Sequence, residues 1–379
     1  MSPRSFPLAR STAPAAAALA LFALSVASAS RAAPETVKFR SGAIGLTGTL
    51  EIPDTPAPHP AVILLTGSDP SPRDAPFFED LRRRFAERGF AALSYDKRGV
   101  GDSGGKYEET PDFDPAAEDG LAAIRMLRGR SDIDSTRIGV WGVSQGGWIA
   151  LLMASKSSTV AFVISVSGPG VSPFEQTMFQ RGVDLAERGI SPGQVKEAIA
   201  VRRSILTYIA TGKGADAANA AWRGARARPW FRAARETDRW FEALATMRSI
   251  PLPSALPADV VAMLRRTYEY DPVAVAARVR VPVLNVFGGK DRHIPVEASV
   301  TALKAAFRRS GNHDATIRVL PDGGHALQIV EGRVECLRCM EAKRREGALI
   351  QVPIPGFYTL ILGWAEERFG PPEARVRNG

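Results

Sequence analysis

Gly142-Val143-Ser144-Gln145-Gly146 is a G-x-S-x-G pentapeptide between two apolar runs, residues 137–141 and 148–154. The first has the length of a buried strand and the second reads as a helix, so Ser144 is expected at a strand-to-helix elbow. At such an elbow the serine takes a strained conformation that lifts its hydroxyl clear of the sheet, and the flanking glycines let the two backbones approach closely. The helix start also aims free amides and a positive dipole end at charge developing on a substrate oxygen. A serine hydroxyl is a poor nucleophile until a base takes its proton, and the base needs an acid to hold its tautomer. The pentapeptide therefore asks for a histidine and a carboxylate.

The chain has four histidines. His59, in the Pro-rich stretch 53–60, and His313, in the polar run Ser310-Gly311-Asn312-His313-Asp314, both read as surface residues. His293 comes too soon after the acid candidate to be its partner. His325 ends Leu320-Pro321-Asp322-Gly323-Gly324-His325, a Gly-rich turn after the last expected strand, where a loop can carry an imidazole over the sheet edge. It is the expected base. The expected acid is Asp291, in Gly288-Gly289-Lys290-Asp291-Arg292-His293, a tight turn beyond the apolar run 281–287. An aspartate there could equally serve only the turn, but the chain order Ser144, Asp291, His325 is the Ser…Asp…His order that an elbow serine requires.

The elements that must position these residues alternate along the chain. Residues 37–40 and 46–52 read as a paired antiparallel edge. Strands are expected at 61–65, 90–95, 136–142, 161–166, 281–287 and 315–320, with helices at 77–88, 114–128, 148–154, 295–309 and 356–369. Strands alternating with helices mean a mostly parallel sheet covered on both faces, an α/β fold. The rhythm stops between Gly168 and Tyr270, where helical periodicity runs through 183–188, 193–210, 229–247 and 257–268. The expected organisation is a sheet core from 34–168 and 271–379, with a helical cap inserted at 169–270.

Residues 1–33 differ from the rest: Arg4 and Arg10 precede an apolar run at 13–27 that ends in small residues, the pattern of a secretory signal peptide. The run is shorter than the ~20 residues a membrane span needs, so a protein exported to the periplasm or beyond, with no stable membrane insertion once the leader is removed, is expected. Removing the three leader arginines leaves +6 of the formal +9 charge. Most of that sits at 172–270, where fifteen Lys and Arg meet ten Asp and Glu. Arg223, Arg226, Arg228, Arg232, Arg235 and Arg239 there crowd beside Trp222, Trp230 and Trp240. Such interleaving can bind nucleic acid, but in an exported protein a solvated amphipathic surface is the expected reading, and no nucleic-acid partner is expected. The only cysteines, Cys336 and Cys339, lack the further ligands a zinc site needs. A local disulfide is the preferred reading in an oxidising compartment, with two free thiols as the alternative.

Several motifs together make the chain from about residue 36 to 370 resemble an α/β-hydrolase of the bacterial esterase or prolyl-oligopeptidase-like type. Besides the elbow and the acid and base turns, Tyr95-Asp96-Lys97-Arg98-Gly99-Val100-Gly101-Asp102-Ser103-Gly104 is similar to that family's D-x-R-G-x-G-x-S loop, which implies an architectural role. Leu65-Thr66-Gly67-Ser68-Asp69-Pro70 is similar to the oxyanion loop H-G-S-G-P, with Thr66 for its histidine and Asp69 for its second glycine. The resemblance implies an α/β-hydrolase fold, an oxyanion hole made by the amides of Ser68 and Gln145, and no metal or cofactor. The expected activity is cleavage of small-molecule carboxylic esters through an acyl-enzyme. An aminopeptidase or amidase on the same fold is the runner-up, and a catalytically silent binding protein the rival from another class.

Overall fold

The computed structural model describes residues 33–109, 112–328 and 353–371. Its centre is one eight-stranded sheet in the order β1-β2-β4-β3-β5-β6-β7-β8. The strands are β1 (Glu35–Ser41), β2 (Ile44–Glu51), β3 (His59–Leu65), β4 (Ala91–Tyr95), β5 (Ile133–Val143), β6 (Val163–Val166), β7 (Val283–Gly288) and β8 (Ala315–Leu320). β1 and β2 pair antiparallel and β2 meets β4 antiparallel, whereas β4, β3, β5, β6, β7 and β8 are parallel neighbours. Parallel strands put all their carboxyl ends on one edge of the sheet, so the loops after β3, β5, β7 and β8 emerge together.

The apolar runs become strands because both faces are covered. β3 is buried along its whole length, as a central parallel strand must be. On one face α2 (Phe113–Arg128), α3 (Gln145–Lys156), α10 (Pro272–Ala276) and α11 (Val296–Ser310) build a core with Ile63, Val140, Val163 and Val283. On the other, α1 (Pro76–Glu87) and α12 (Phe357–Phe369) cover Val62, Trp141, Ile164 and Leu284. Each such side chain, fully withdrawn from water, contributes roughly 1.5–3 kcal/mol.

Between β6 and α10 come α4 (Pro173–Glu187), α5 (Pro192–Thr211), α6 (Ala215–Ala225), α7 (Phe231–Thr237), α8 (Arg239–Leu244) and α9 (Ala258–Glu269). They share their own apolar cluster, with Trp222, Trp230 and Phe241 at its heart. Trp222 and Trp230 point inward, while all six arginines of the crowded stretch are exposed, which is the amphipathic arrangement expected. The continuous helix expected at 229–247 divides into α7 and α8 at Asp238. That residue is extended (φ −130°, ψ 112°), caps α8 by accepting from the Trp240 amide, and forms a buried ion pair with Arg202 of α5. A buried guanidinium without its carboxylate is costly, and the pairing outweighs helix continuity.

Both stems of this insertion are tied to one residue of α3. The Trp148 indole donates to the Pro169 carbonyl at 2.7 Å, and the Trp148 carbonyl accepts from the Tyr270 hydroxyl at 3.4 Å. The Tyr270 ring also packs edge-on against Phe113 and Trp148.

The surface reading of His59 is corrected. Its residue is buried at the start of β3, where its amide donates to the Asp132 carbonyl at 2.8 Å, its backbone pairs with Ile133 and its Nδ1 lies 3.4 Å from the Thr55 hydroxyl. β3 starts at His59, two residues before the expected strand at 61–65. His313 is exposed, as expected. Residues 1–32 of the expected leader, and Cys336 and Cys339, lie outside the described residues. No described helix is long and apolar enough to cross a membrane.

Candidate active site

Ser144 caps α3 at the end of β5 with φ 55° and ψ −118°, a left-handed conformation costing about 1–3 kcal/mol in a residue other than glycine. The elbow is held from both sides: the Ser144 amide donates to Val166 of β6 at 2.8 Å, and the Ser144 carbonyl accepts from Gly147 at 2.9 Å. The glycines are required by contact. A Cβ on Gly142 would stand 2.2 Å from the Gly146 carbonyl oxygen, and one on Gly146 would stand 2.7 Å from the Leu65 oxygen and 2.8 Å from that of Thr66. Gly142→Ala is accordingly expected to destabilise the protein by about 1–3 kcal/mol, read as a lower urea midpoint with unchanged slope.

The acid and base turns are built against each other. The Gly289 amide donates to Leu320 at 2.8 Å and the Lys290 amide to Gly323 at 2.9 Å. A Cβ on Gly288 would strike the carbonyls of Gly323 and Gly324, so the two backbones touch where these residues are small. This contact brings Asp291 and His325 together: His325 Nδ1 and Asp291 Oδ2 are 2.8 Å apart. The Asp291 side chain has no exposed surface, and that of His325 is 20% exposed. The other carboxylate oxygen of Asp291 accepts from the amides of His293 (2.8 Å) and Ile294 (3.2 Å). Burial alone would raise the Asp291 carboxyl. The His325 imidazole facing it, their hydrogen bond and the His293 amide outweigh burial and hold it below the ordinary aspartate value.

Ser144 stands at the carboxyl edge where these turns emerge, with β6 between its strand and β7. Among the described residues no hydrogen bond links its hydroxyl to His325, a bond that in enzymes of this kind often tightens only with substrate in place. The Thr66–Asp69 loop does reach the serine, since a Cβ on Gly67 would lie 3.6 Å from that of Ser144. Gln145 begins α3, and its side chain donates to the Glu109 carbonyl at 2.9 Å, leaving the amide at the free end of the helix. Ser68 is partly buried, and its carbonyl accepts from the Tyr107 hydroxyl at 2.6 Å.

Asp96 is architectural, as its motif implies. Buried, it accepts from the Arg73 amide at 2.7 Å and the Asp102 amide at 3.0 Å and pairs with the Arg73 guanidinium. His293, whose spacing argues against it as the partner of Asp291, nonetheless has its ring 4.8 Å from that of His325, tilted by 45°. Burial, then the His325, Arg181 and Arg292 charges, push it down to about 4 against the pull of Asp291, so it is neutral at physiological pH. Gln176 of α4 donates to the His293 carbonyl at 2.6 Å and Gln180 meets its Nδ1 at 3.2 Å. The insertion thus reaches the acid turn directly. The hint in the sequence was the His-Ile-Pro that follows Asp-Arg. Among the described residues no group of three or more His, Cys, Asp or Glu is placed to hold a metal ion.

The family model described as X-Pro dipeptidyl-peptidase (S15 family) matches residues 41–301, from β1 to α11. The chain belongs to that family. It is an α/β-hydrolase, and solved structures share its fold: the α/β-hydrolase GrgF of Penicillium sp. sh18 (20% identity, TM-score 0.50, covering 78% of this chain and 91% of that one) and the esterase Pf2001 of Pyrococcus furiosus (16%, 0.50, 89% and 92%). Among curated relatives, esterase EstD of Thermotoga maritima is 25% identical over 297 residues, 76% of this chain and 60% of EstD. Quorum-quenching protein AidA of Acinetobacter baumannii is 32% identical over 133 residues, 35% of this chain and 43% of AidA. The matched parts thus span 60% of the first relative's length and 43% of the second's.

Proposed function

We propose that this hydrolase is an exported serine esterase acting on small-molecule carboxylic esters through an acyl-enzyme. The observation that carries the reading is the Asp291–His325 hydrogen bond at the sheet edge from which the strained Ser144 elbow projects. With Nδ1–H donated to Asp291, Nε2 of His325 is left as the base. It takes the Ser144 proton as Oγ bonds to the carbonyl carbon, and the resulting oxyanion is held by the Ser68 and Gln145 amides. Collapse breaks the bond to the alcohol oxygen, which leaves with the proton from His325. Water, deprotonated by the same imidazole, then attacks the acyl-enzyme and releases the carboxylic acid and the free serine.

A peptidase reading is favoured by one specific observation, the family's description as an X-Pro dipeptidyl-peptidase. Against it, a free amino terminus would need a carboxylate to receive it. Glu108 and Glu109, in the stretch that meets Gln145, face Arg266 and Arg239, and residues 172–270 are net basic. Ester cleavage is also what the name of EstD states for a relative aligned over three quarters of this chain. A panel of p-nitrophenyl esters graded by acyl length, run beside aminoacyl- and X-Pro-p-nitroanilides, tests the order. Esters are expected to be turned over faster at every matched acyl group. Faster release from the X-Pro anilide would reverse the assignment, and inertness toward both, with no labelling by a fluorophosphonate, would leave a binding protein.

A further inference from the structure

The Thr66–Asp69 loop departs from the usual oxyanion loop by carrying a carboxylate, Asp69, one residue after the expected donor Ser68. A negative charge there opposes the oxyanion the loop should stabilise. The structure also shows what faces it. The Lys97 ammonium, from the D-x-R-G loop, donates to the Gly67 carbonyl at 2.6 Å. The Tyr107 hydroxyl donates to the next carbonyl, that of Ser68, also at 2.6 Å, and Lys97 Nζ lies 5.6 Å from the Tyr107 ring centroid. Asp69 itself is exposed and accepts from the Ser71 hydroxyl. Two consecutive carbonyls of the loop are therefore gripped from one side.

The Gly67 carbonyl and the Ser68 amide belong to the same planar peptide unit. Whatever fixes the oxygen fixes the direction of the N–H, and a cation on the oxygen draws electron density from the nitrogen and makes the N–H a stronger donor. We propose that Lys97 is a positioning residue of the oxyanion site, orienting and polarising the Gly67–Ser68 peptide toward the oxyanion and offsetting the Asp69 carboxylate. The assignment rests on the Ser144 acyl-enzyme reading. It also accounts for a lysine at the variable position of the D-x-R-G motif, where its neighbours are engaged elsewhere: Asp96 with Arg73, and Arg98 with Asp119 through two 2.7 Å hydrogen bonds.

Full negative charge on the substrate oxygen exists only around the tetrahedral intermediate, so loss of Lys97 acts on kcat more than on KM. Burial lowers the Lys97 ammonium to about 8, with Asp69 pulling it back up. Facing it are Asp69, in the loop whose Gly67 carbonyl it meets, and the Tyr107 phenol, which burial and then Glu109 and Asp69 hold above its ordinary value. Deprotonation of Lys97 therefore removes the cation while Tyr107 is still neutral.

The test measures kcat and KM for a p-nitrophenyl ester from pH 6.5 to 9.5 in the wild type, Lys97→Met, Lys97→Arg and Ser144→Ala. Lys97→Met is expected to lower kcat by about thirtyfold at pH 7 with KM within about twofold, less than deletion of an oxyanion donor because the Ser68 amide remains. Lys97→Arg should recover most of that loss and abolish the fall in kcat that the wild type shows as pH rises through about 8. Wild-type kcat in Lys97→Met, or a loss that arginine does not recover, overturns the assignment. Should Lys97→Met fail to fold, the wild-type profile decides, and a kcat that is flat or rising to pH 9.5 overturns it. Inactive Ser144→Ala with fully active Lys97→Met removes only the Lys97 role. Active Ser144→Ala removes the acyl-enzyme reading and the Lys97 role with it.

Discussion

Ser144→Ala is expected to lower kcat for an aryl ester by about 10⁶-fold, because the nucleophile and its base act as a unit and the loss of one member removes nearly all that both supply. The substitution takes away a single oxygen. The bonds that hold the elbow, Ser144 amide to Val166 and Gly147 amide to the Ser144 carbonyl, are main-chain bonds that alanine keeps. Alanine at φ 55° is strained to the same degree as serine, so stability should stay within about 1 kcal/mol of the wild type. KM should change little, since the hydroxyl contributes to bond formation and not to holding the ester. Stopped-assay turnover, a melting curve and a fluorophosphonate gel on the same preparation separate lost chemistry from lost folding. Activity near the wild-type level would remove Ser144 from the mechanism.

Asp291→Asn is expected to cost about 10⁴-fold in kcat while leaving the fold in place. The two carboxylate oxygens have different tasks. Oδ1 takes the His293 and Ile294 amides, and the amide oxygen of asparagine can do the same. That leaves the asparagine NH₂ facing His325, where Oδ2 accepts in the wild type. Nδ1 must then become the acceptor, which moves the ring proton to Nε2, the atom that has to be bare to take a proton from Ser144. A second effect follows from the lowered pKa of Asp291. A carboxyl held below its unfolded value stabilises the fold above the ordinary aspartate pKa and loses that contribution as pH falls through the lowered one. The wild type should therefore lose part of its stability in strong acid, and the variant should lack that step. Unimpaired turnover would show that Asp291 is only a turn former, and an unchanged acid limb of denaturation would show that its carboxylate adds no stability.

The sheet and the pairing of Asp291 with His325 are legible in the chain because each depends on local pattern. Continuous apolar runs such as 61–65, too short for a helix, read as strands buried on both faces, and the Gly-rich turns after two of them carry a carboxylate and an imidazole in the required order. Other features depend on partners far away in sequence. Asp238 breaks a helix because Arg202, 36 residues earlier, needs its charge in a buried place. His59 is buried because its amide meets a carbonyl 73 residues later, which prolines on either side conceal. His293 sits on the His325 ring because the acid and base turns are bonded to each other, a contact no spacing rule contains. Lys97 occupies one of the three positions that its D-x-R-G-x-G-x-S motif leaves open, so its type carries no expectation.

The double attachment of the insertion to Trp148 has a consequence for how such a protein can change. Helices α4–α9 leave and re-enter the core through Pro169 and Tyr270, and both are fastened to a single tryptophan four residues beyond the serine. Everything between the two fastenings has its own apolar centre. The segment is thus a cassette: its interior can be rewritten, and the shape of whatever it encloses redrawn, with the mounting left intact. Selectivity and reactivity can then be inherited separately, provided any replacement still offers a partner to His293.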